Sequence, residues 1–348
     1  MKYLFHCFKI LLIITTLLIN HSTVYAQKVQ SSLFKVRSAS GGFGEGWTEI
    51  NLGIAYMKLS DWKTAELLFQ EAHKINPDKF KTYVYYYRNL GYCYFRQGDF
   101  EKALKTYLEG LKEIPDDEWL MEMAGWSYQA LGKKEESVSY LEKSASIGFS
   151  KIPESPPILM ELPVMEKWKV SHGSNEKYTH LGLNGRYSLD FVMQGAKETE
   201  YMGDGSMNED YFSFGKPVIA PADGEIVEVV LNVQDNIPNT TVNWISPGGN
   251  YIKIKHDEEI YSILEHLKHG SIVVEPNHKI KRGDVLGLVG NSGNSLQPHL
   301  HFHVSYGEEK GWISRPFKFK NYIRYKNGIE FLVKEGIPER GEIVRPAE

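Results

Sequence analysis

Two stretches of this chain carry like residues at identical offsets, which commits both to one local structure. NLGIAYMKLSDWKTAELLFQEAHKINP supplies Leu52, Gly53, Tyr56, Ala65, Phe69, Ala72 and Pro77. NLGYCYFRQGDFEKALKTYLEGLKEIP supplies Leu90, Gly91, Tyr94, Ala103, Tyr107, Gly110 and Pro115. A third stretch, MAGWSYQALGKKEESVSYLEKSA, puts Gly125, Tyr128 and Leu141 in the matching positions, with Ser137 where the others have alanine. Small residues let two helices approach and large ones fill the groove between them, so each copy predicts a helix–turn–helix unit. Gly53 to Gly91 is 38 residues and Gly91 to Gly125 is 34; the surplus predicts a lengthened turn near Lys79 to Thr82.

This spacing resembles the tetratricopeptide repeat, over residues 47–150. The resemblance implies an all-α stack whose concave face holds a peptide or protein partner. Its alternative role is a spacer or a cover for the next domain. Three repeats are about the minimum for a stable stack. A fragment lacking Trp47 to Ser150 is accordingly expected to keep some activity of whatever follows.

The N-terminus sets the compartment. Lys2 and Lys9 precede the apolar run ILLIITTLLI, and the polar stretch after it ends in Val24-Tyr25-Ala26. That pattern predicts a signal peptide over residues 1–26, cleaved after Ala26, with a linker over 27–46. The run is shorter than the ~20 residues of a membrane span, so no stable span is expected once the signal is removed; an uncleaved anchor is the alternative. Export then leaves Cys93 as the one cysteine, because Cys7 precedes the apolar run, and no internal disulfide is possible. Cys93 sits among aromatic helical residues and reads as a buried, inert thiol. The net charge of -4, with no long basic block, gives no reason to expect a nucleic-acid partner.

Prolines end the helical pattern. Residues 151–167 read as a Pro-rich linker, because Pro153, Pro156 and Pro157 bar both a helix and a central strand. Beyond it come short alternating runs with glycine turns, such as GKPVIAPADGEIVEVV and YIKIKHDEEIYSIL, which predict an antiparallel β-domain over 168–325. Residues 326–348 read as an extra edge strand and tail. The long polar segment Glu198 to Phe214 reads as a candidate lid.

Histidine gathers in this second part: of twelve, nine lie beyond residue 171. In PHLHFH, a strand sets His299, His301 and His303 on one face, with Leu300 and Phe302 on the other. Neutral imidazole is the commonest nitrogen ligand, so a metal site is the economical reading. An anionic partner is available in Asp190, set in an apolar strand-like run where an unpaired carboxylate costs stability. His180 and His266 are further candidates.

The ordered stretches HLGLNGRYSLDF, GKPVIAPADGEIVEV, YSILEHL, KIKRGDVLGLVGNSGNS and PHLHFHV resemble the motifs of the lysostaphin/LytM-type zinc metallopeptidases, metallopeptidase family twenty-three. The resemblance covers about Val170 to Tyr306. It implies a mainly antiparallel β-fold of the duplicated-hybrid-motif kind, making the chain multidomain: all-α repeats, then a β peptidase domain. It implies Zn2+ held by His180, Asp190 and His301, with His266 and His299 as catalytic partners that do not bind the metal. It also implies an exported endopeptidase acting on peptide cross-links of bacterial peptidoglycan. A non-catalytic regulator of other wall hydrolases and a secreted protease acting on proteins are the alternatives. Three departures stand out. The family separates its first histidine and aspartate by three residues, whereas the connection here is much longer, which makes His172 a competitor of His180. His303 stands where glutamate is frequent, either as a supporting hydrogen-bond partner or as a polar groove residue. Leu264 and Glu265 replace a usual tyrosine and alanine.

Overall fold

The structure, a computed structural model, describes residues 46–151, 157–174, 176, 179–257, 259–307, 313–326 and 328–347. The expected signal peptide, Cys7, nearly all of the 27–46 linker, and Pro153 and Pro156 lie outside the described residues. The chain divides into two compact units, Met1–Pro115 and Asp116–Glu348. No described helix is long and apolar enough to cross a membrane.

In the first unit the helices are α1 (Trp47–Lys58), α2 (Trp62–Ile75), α3 (Pro77–Lys81), α4 (Val84–Arg96) and α5 (Phe100–Glu113). The second helix of each pair starts at an aspartate: Asp61 Oδ1 accepts from the Thr64 amide at 3.1 Å, and Asp99 Oδ1 from Lys102 at 3.2 Å. Such caps satisfy amides that the helix itself leaves unpaired. The repeated glycines are explained by close approach. A Cβ at Gly53 would lie 2.7 Å from the Phe69 ring, and one at Gly91 would lie 2.2 Å from the Tyr107 ring. The surplus residues near Lys79 form α3, one short helix begun by Pro77 and capped by Asn76. Cys93 is fully buried; burial, aided by Glu66, pushes its thiol up to about 12, as an inert core thiol requires.

The third helical pair, α6 (Glu118–Ala130) and α7 (Lys134–Ser150), belongs to the same compact unit as the β-strands. It repeats the pairing logic: a Cβ at Gly125 would lie 2.6 Å from Leu141. The strands follow as β1 (Ile158–Met160), β2 (Trp168–His172), a one-turn helix α8 (Gly182–Gly185), β3 (Leu189–Val192), β4 (Pro217–Ile219), β5 (Gly224–Val230), β6 (Asn250–Asp257), β7 (Ile260–Leu267), β8 (Lys279–Ile280), β9 (Val285–Leu288), β10 (Leu300–Tyr306), β11 (Phe317–Lys326), β12 (Ile329–Gly336) and β13 (Ile343–Pro346). The main sheet runs β1-β11-β13-β2-β3-β10-β7-β6-β5-β8, with β12 paired to β11; β4 and β9 form a second, two-stranded sheet. Every pairing is antiparallel except β1 with β11.

Two boundaries differ from expectation. Within the 151–167 stretch, Ile158–Met160 is a strand at the sheet's edge, and Met160, Leu162 and Val164 join the buried core, so the described part of the linker is packed structure. The C-terminal residues supply two strands. Only β12 is peripheral; β13 sits inside the sheet between β11 and β2, because Val344 reaches the core beside Trp168. The segment Glu198 to Phe214 is tied down by a Tyr201–Tyr211 bridge and by Asn208, whose side chain meets the Asn236 carbonyl at 2.8 Å and Asn291 at 3.0 Å.

The core fixes the strand that matters most. Leu300, Phe302 and Val304 point into the buried cluster with Leu189, Phe191, Leu264 and Ile252, so the odd-numbered residues of β10 face the opposite side. The glycine packing gives a test. Gly91→Ala should lower stability by about 1–3 kcal/mol through overpacking against Tyr107, read from the denaturant midpoint; an unchanged midpoint would show the helix pair tolerating a Cβ there.

Candidate metal centre

Asp190 is the hub. It lies on β3, 6% exposed, directly opposite His301 on β10. Its Oδ1 lies 2.8 Å from His301 Nδ1 and 3.7 Å from His299 Nε2; its Oδ2 lies 3.2 Å from both His180 Nε2 and His172 Nδ1. Among the described residues, every ion-pair partner of this carboxylate is an imidazole. Burial on its own pushes the Asp190 carboxyl up, but His180, His299 and His172 outweigh burial and hold it well below the usual range.

Three of the imidazoles, those of His180, His266 and His299, are oriented by backbone carbonyls. His180 Nδ1 bonds the Gly173 carbonyl at 2.5 Å, which leaves Nε2 turned to Asp190. His266 Nδ1 meets the Ser292 carbonyl at 2.8 Å; His299 Nδ1 meets the Gln297 carbonyl at 2.8 Å and Ser295 Oγ at 3.1 Å. Such outer contacts fix the tautomer and the free nitrogen. Burial, offset by Asp190 and Gly173, leaves the His180 imidazole raised. Burial, reinforced by His299 and His301, holds His266 well below its ordinary value; burial also lowers His299 against the pull of Asp190.

His266 reaches the site through a local irregularity. Asn250 pairs with Leu267 and Ile252 with Leu264, so Glu265 and His266 share the place opposite Tyr251. At this bulge His266 takes a φ of 62°, a left-handed value uncommon for a non-glycine residue. The bulge turns its ring to 4.7 Å from His299 and 5.7 Å from His301, centroid to centroid. The loop beside it is crowded: a Cβ at Gly293 would lie 2.3 Å from the Gly249 nitrogen, so GNSGNS needs its glycine there.

All five expected site residues thus converge. Donor atoms of His180, Asp190 and His301 lie within 4.8 Å of one another, as do those of His266, His299 and His301. The first set, two imidazole nitrogens and an oxygen of a buried carboxylate that has no lysine or arginine partner among the described residues, suits a zinc ion. His172 also reaches Asp190, but from a half-exposed position. His303 is buried with no hydrogen-bond partner on either ring nitrogen among the described residues, so of its two readings the supporting hydrogen bond is not present. The residues that sequence reasoning passed over are the supports: Ser292, Ser295 and the carbonyls of Gly173 and Gln297. Only the Ser/Asn-rich GNSGNS run carries any signal for them; a carbonyl carries none.

Residues 210–312 match the family model for peptidase family M23, and residues 44–112 and 120–147 match models for the tetratricopeptide repeat. The chain carries an M23 peptidase domain preceded by tetratricopeptide repeats. It is 27% identical over 190 residues to an uncharacterized metalloprotease of Buchnera aphidicola, spanning 53% of this chain and 38% of that one. It is 25% identical over 142 residues to the peptidoglycan DD-endopeptidase ShyA of Vibrio cholerae, spanning 41% of this chain and 26% of that one. A solved zinc-containing peptidase of Vibrio cholerae is 26% identical with a TM-score of 0.27, covering 41% of this chain and 35% of that one. The chain therefore spans well under half of these relatives. The M23 match contains His266, His299 and His301 but starts after His180 and Asp190, so these two enter the site by geometry.

The competing histidines can be separated. His180→Ala should weaken zinc binding by more than the roughly 100-fold that loss of a supporting contact costs, whereas His172→Ala should stay within about tenfold. Competition with a chromophoric chelator reads both, and the reverse ranking would make His172 the ligand.

Proposed function

We propose that this protein is an exported zinc endopeptidase that cleaves peptide cross-links of bacterial peptidoglycan. The observation that carries the reading is the convergence of His180, Asp190 and His301 from three separate segments, with the His266–His299 pair beside them. The M23 match supports a peptidase, and the likeness to a peptidoglycan DD-endopeptidase supports the substrate class.

His180, Asp190 and His301 would hold the ion, leaving a coordination position open, as a catalytic site needs. Bound there, zinc supplies Lewis-acid polarisation of a peptide carbonyl and activation of water. The remaining work falls to the chain. With Nδ1 of His266 and of His299 each engaged by a carbonyl, their Nε2 atoms carry the lone pairs. Burial keeps both rings neutral, so either Nε2 can take a proton from the nucleophile and return it to the leaving amine. Glu265, opposite His301 in register, adds a part-buried carboxyl raised by burial. The signal-like segment supports export, and the repeats support a protein partner.

Purified full-length protein should release soluble peptides from sacculi, lose this on zinc chelation and regain it on zinc return. His299→Ala should retain zinc yet lose turnover by on the order of 100-fold or more. A zinc-loaded protein that leaves sacculi intact while stimulating a second wall hydrolase would favour the regulator, and digestion of unrelated proteins alone would favour the general protease.

A further inference from the structure

The connection between His180 and Asp190 is long, and the added residues have a use. Between these two candidate ligands lies the one-turn helix α8, and this turn is gripped from the third helical pair. Glu122 of α6 is 7% exposed, and its Oε2 accepts from the Leu183 amide at 3.0 Å. Its Oε1 accepts from Trp126 Nε1 at 3.2 Å, and the Asn184 amide also bonds the carboxylate. The contact permits no side chain on the turn: Gly182 has φ 76°, and a Cβ there would lie 2.4 Å from Glu122 Oε1. Gly148 of α7 is equally constrained, since a Cβ there would lie 2.2 Å from Leu183 Cδ2. Next along, Tyr187 meets Phe149 edge-on at 5.4 Å, and Arg186 lies 5.7 Å over the same ring. The far side of the turn is held by Ser314, whose amide and hydroxyl both donate to the Leu183 carbonyl, at 2.7 and 3.0 Å.

We infer that Glu122 is a positioning residue for the metal centre: by binding the amides that begin α8, it fixes the Leu181–Gly185 turn and, through it, the placement of His180. A carboxyl group is suited to this task, because the amides at the start of a helical turn lack intrahelical partners and its two oxygens can accept from Leu183, Asn184 and Trp126 together. The long insertion is thereby explained as the piece that docks onto the helical pair. This inference rests on reading His180 as a ligand, so its test treats the two separately.

The probes are Zn2+ affinity and the visible spectrum of the Co2+ form, measured on the full chain. Glu122→Ala should weaken Zn2+ by about tenfold, as loss of an outer supporting contact does, and should alter the Co2+ spectrum. Glu122→Gln, which keeps one acceptor oxygen, should recover part of both and serves where the alanine variant does not fold. Glu66→Ala is the control: Glu66 is a buried carboxylate in the first unit, and its loss should cost stability with the Co2+ spectrum unchanged. If His180→Ala loses metal while both Glu122 variants keep wild-type affinity and spectrum, the ligand assignment stands and the role of Glu122 is overturned. If His180→Ala itself retains metal, the ligand assignment falls and takes this inference with it.

Discussion

One buried carboxylate organises the β unit. Asp190 is almost wholly out of water, and burying an ionised group is costly unless compensating charge or hydrogen bonds surround it. The compensation comes from imidazoles on β2, β10 and the loop before α8. Among the described residues no lysine or arginine pairs with this carboxylate, and a buried anion ringed by imidazole nitrogens is what makes the cluster read as a cation site. Much of the surrounding architecture serves this arrangement. The apolar face of β10 seats Leu300, Phe302 and Val304 in the core and so presents His301 to Asp190. The bulge in β7 trades regular pairing for the aim of His266. Gly293 lets the loop that carries the Ser292 carbonyl press against Gly249.

The helical repeats are not one uniform module. The first two pairs form a unit of their own, whereas the third pair shares a unit with the sheet and reaches the His180 turn through Glu122, Gly148 and Phe149. A fragment begun after Ser150 therefore discards part of the scaffold around the site, which counts against its expected independence. A fragment begun near Asp116 keeps that scaffold. Whatever partner the first two pairs hold, the third has work inside its own unit.

Sequence alone carried much of this because the informative signals were periodic or clustered. Offsets shared by Gly53 and Gly91 reflect a close helix approach that only glycine allows, so the repeats were legible. Alternation in PHLHFH fixed which face bears histidine, since a strand has no freedom to present it otherwise. What stayed hidden was long-range or written in backbone. Gly173 and Gln297 act through carbonyls, which any residue could supply. Glu122 looks like one more helical glutamate until the fold places it 3.0 Å from the Leu183 amide. Residues 326–348 read as an edge strand and tail, and only the pairing of β13 with both β11 and β2 gives IVRP its place inside the sheet.

The central claim is that Asp190 and two imidazoles share a zinc ion with solvent. X-ray absorption at the zinc edge of the stoichiometrically loaded protein addresses it most directly. The account predicts a coordination sphere of two imidazole nitrogens with oxygen atoms from a carboxylate and from solvent, and no sulfur. A sphere of three or more imidazoles, with no carboxylate oxygen, would contradict it.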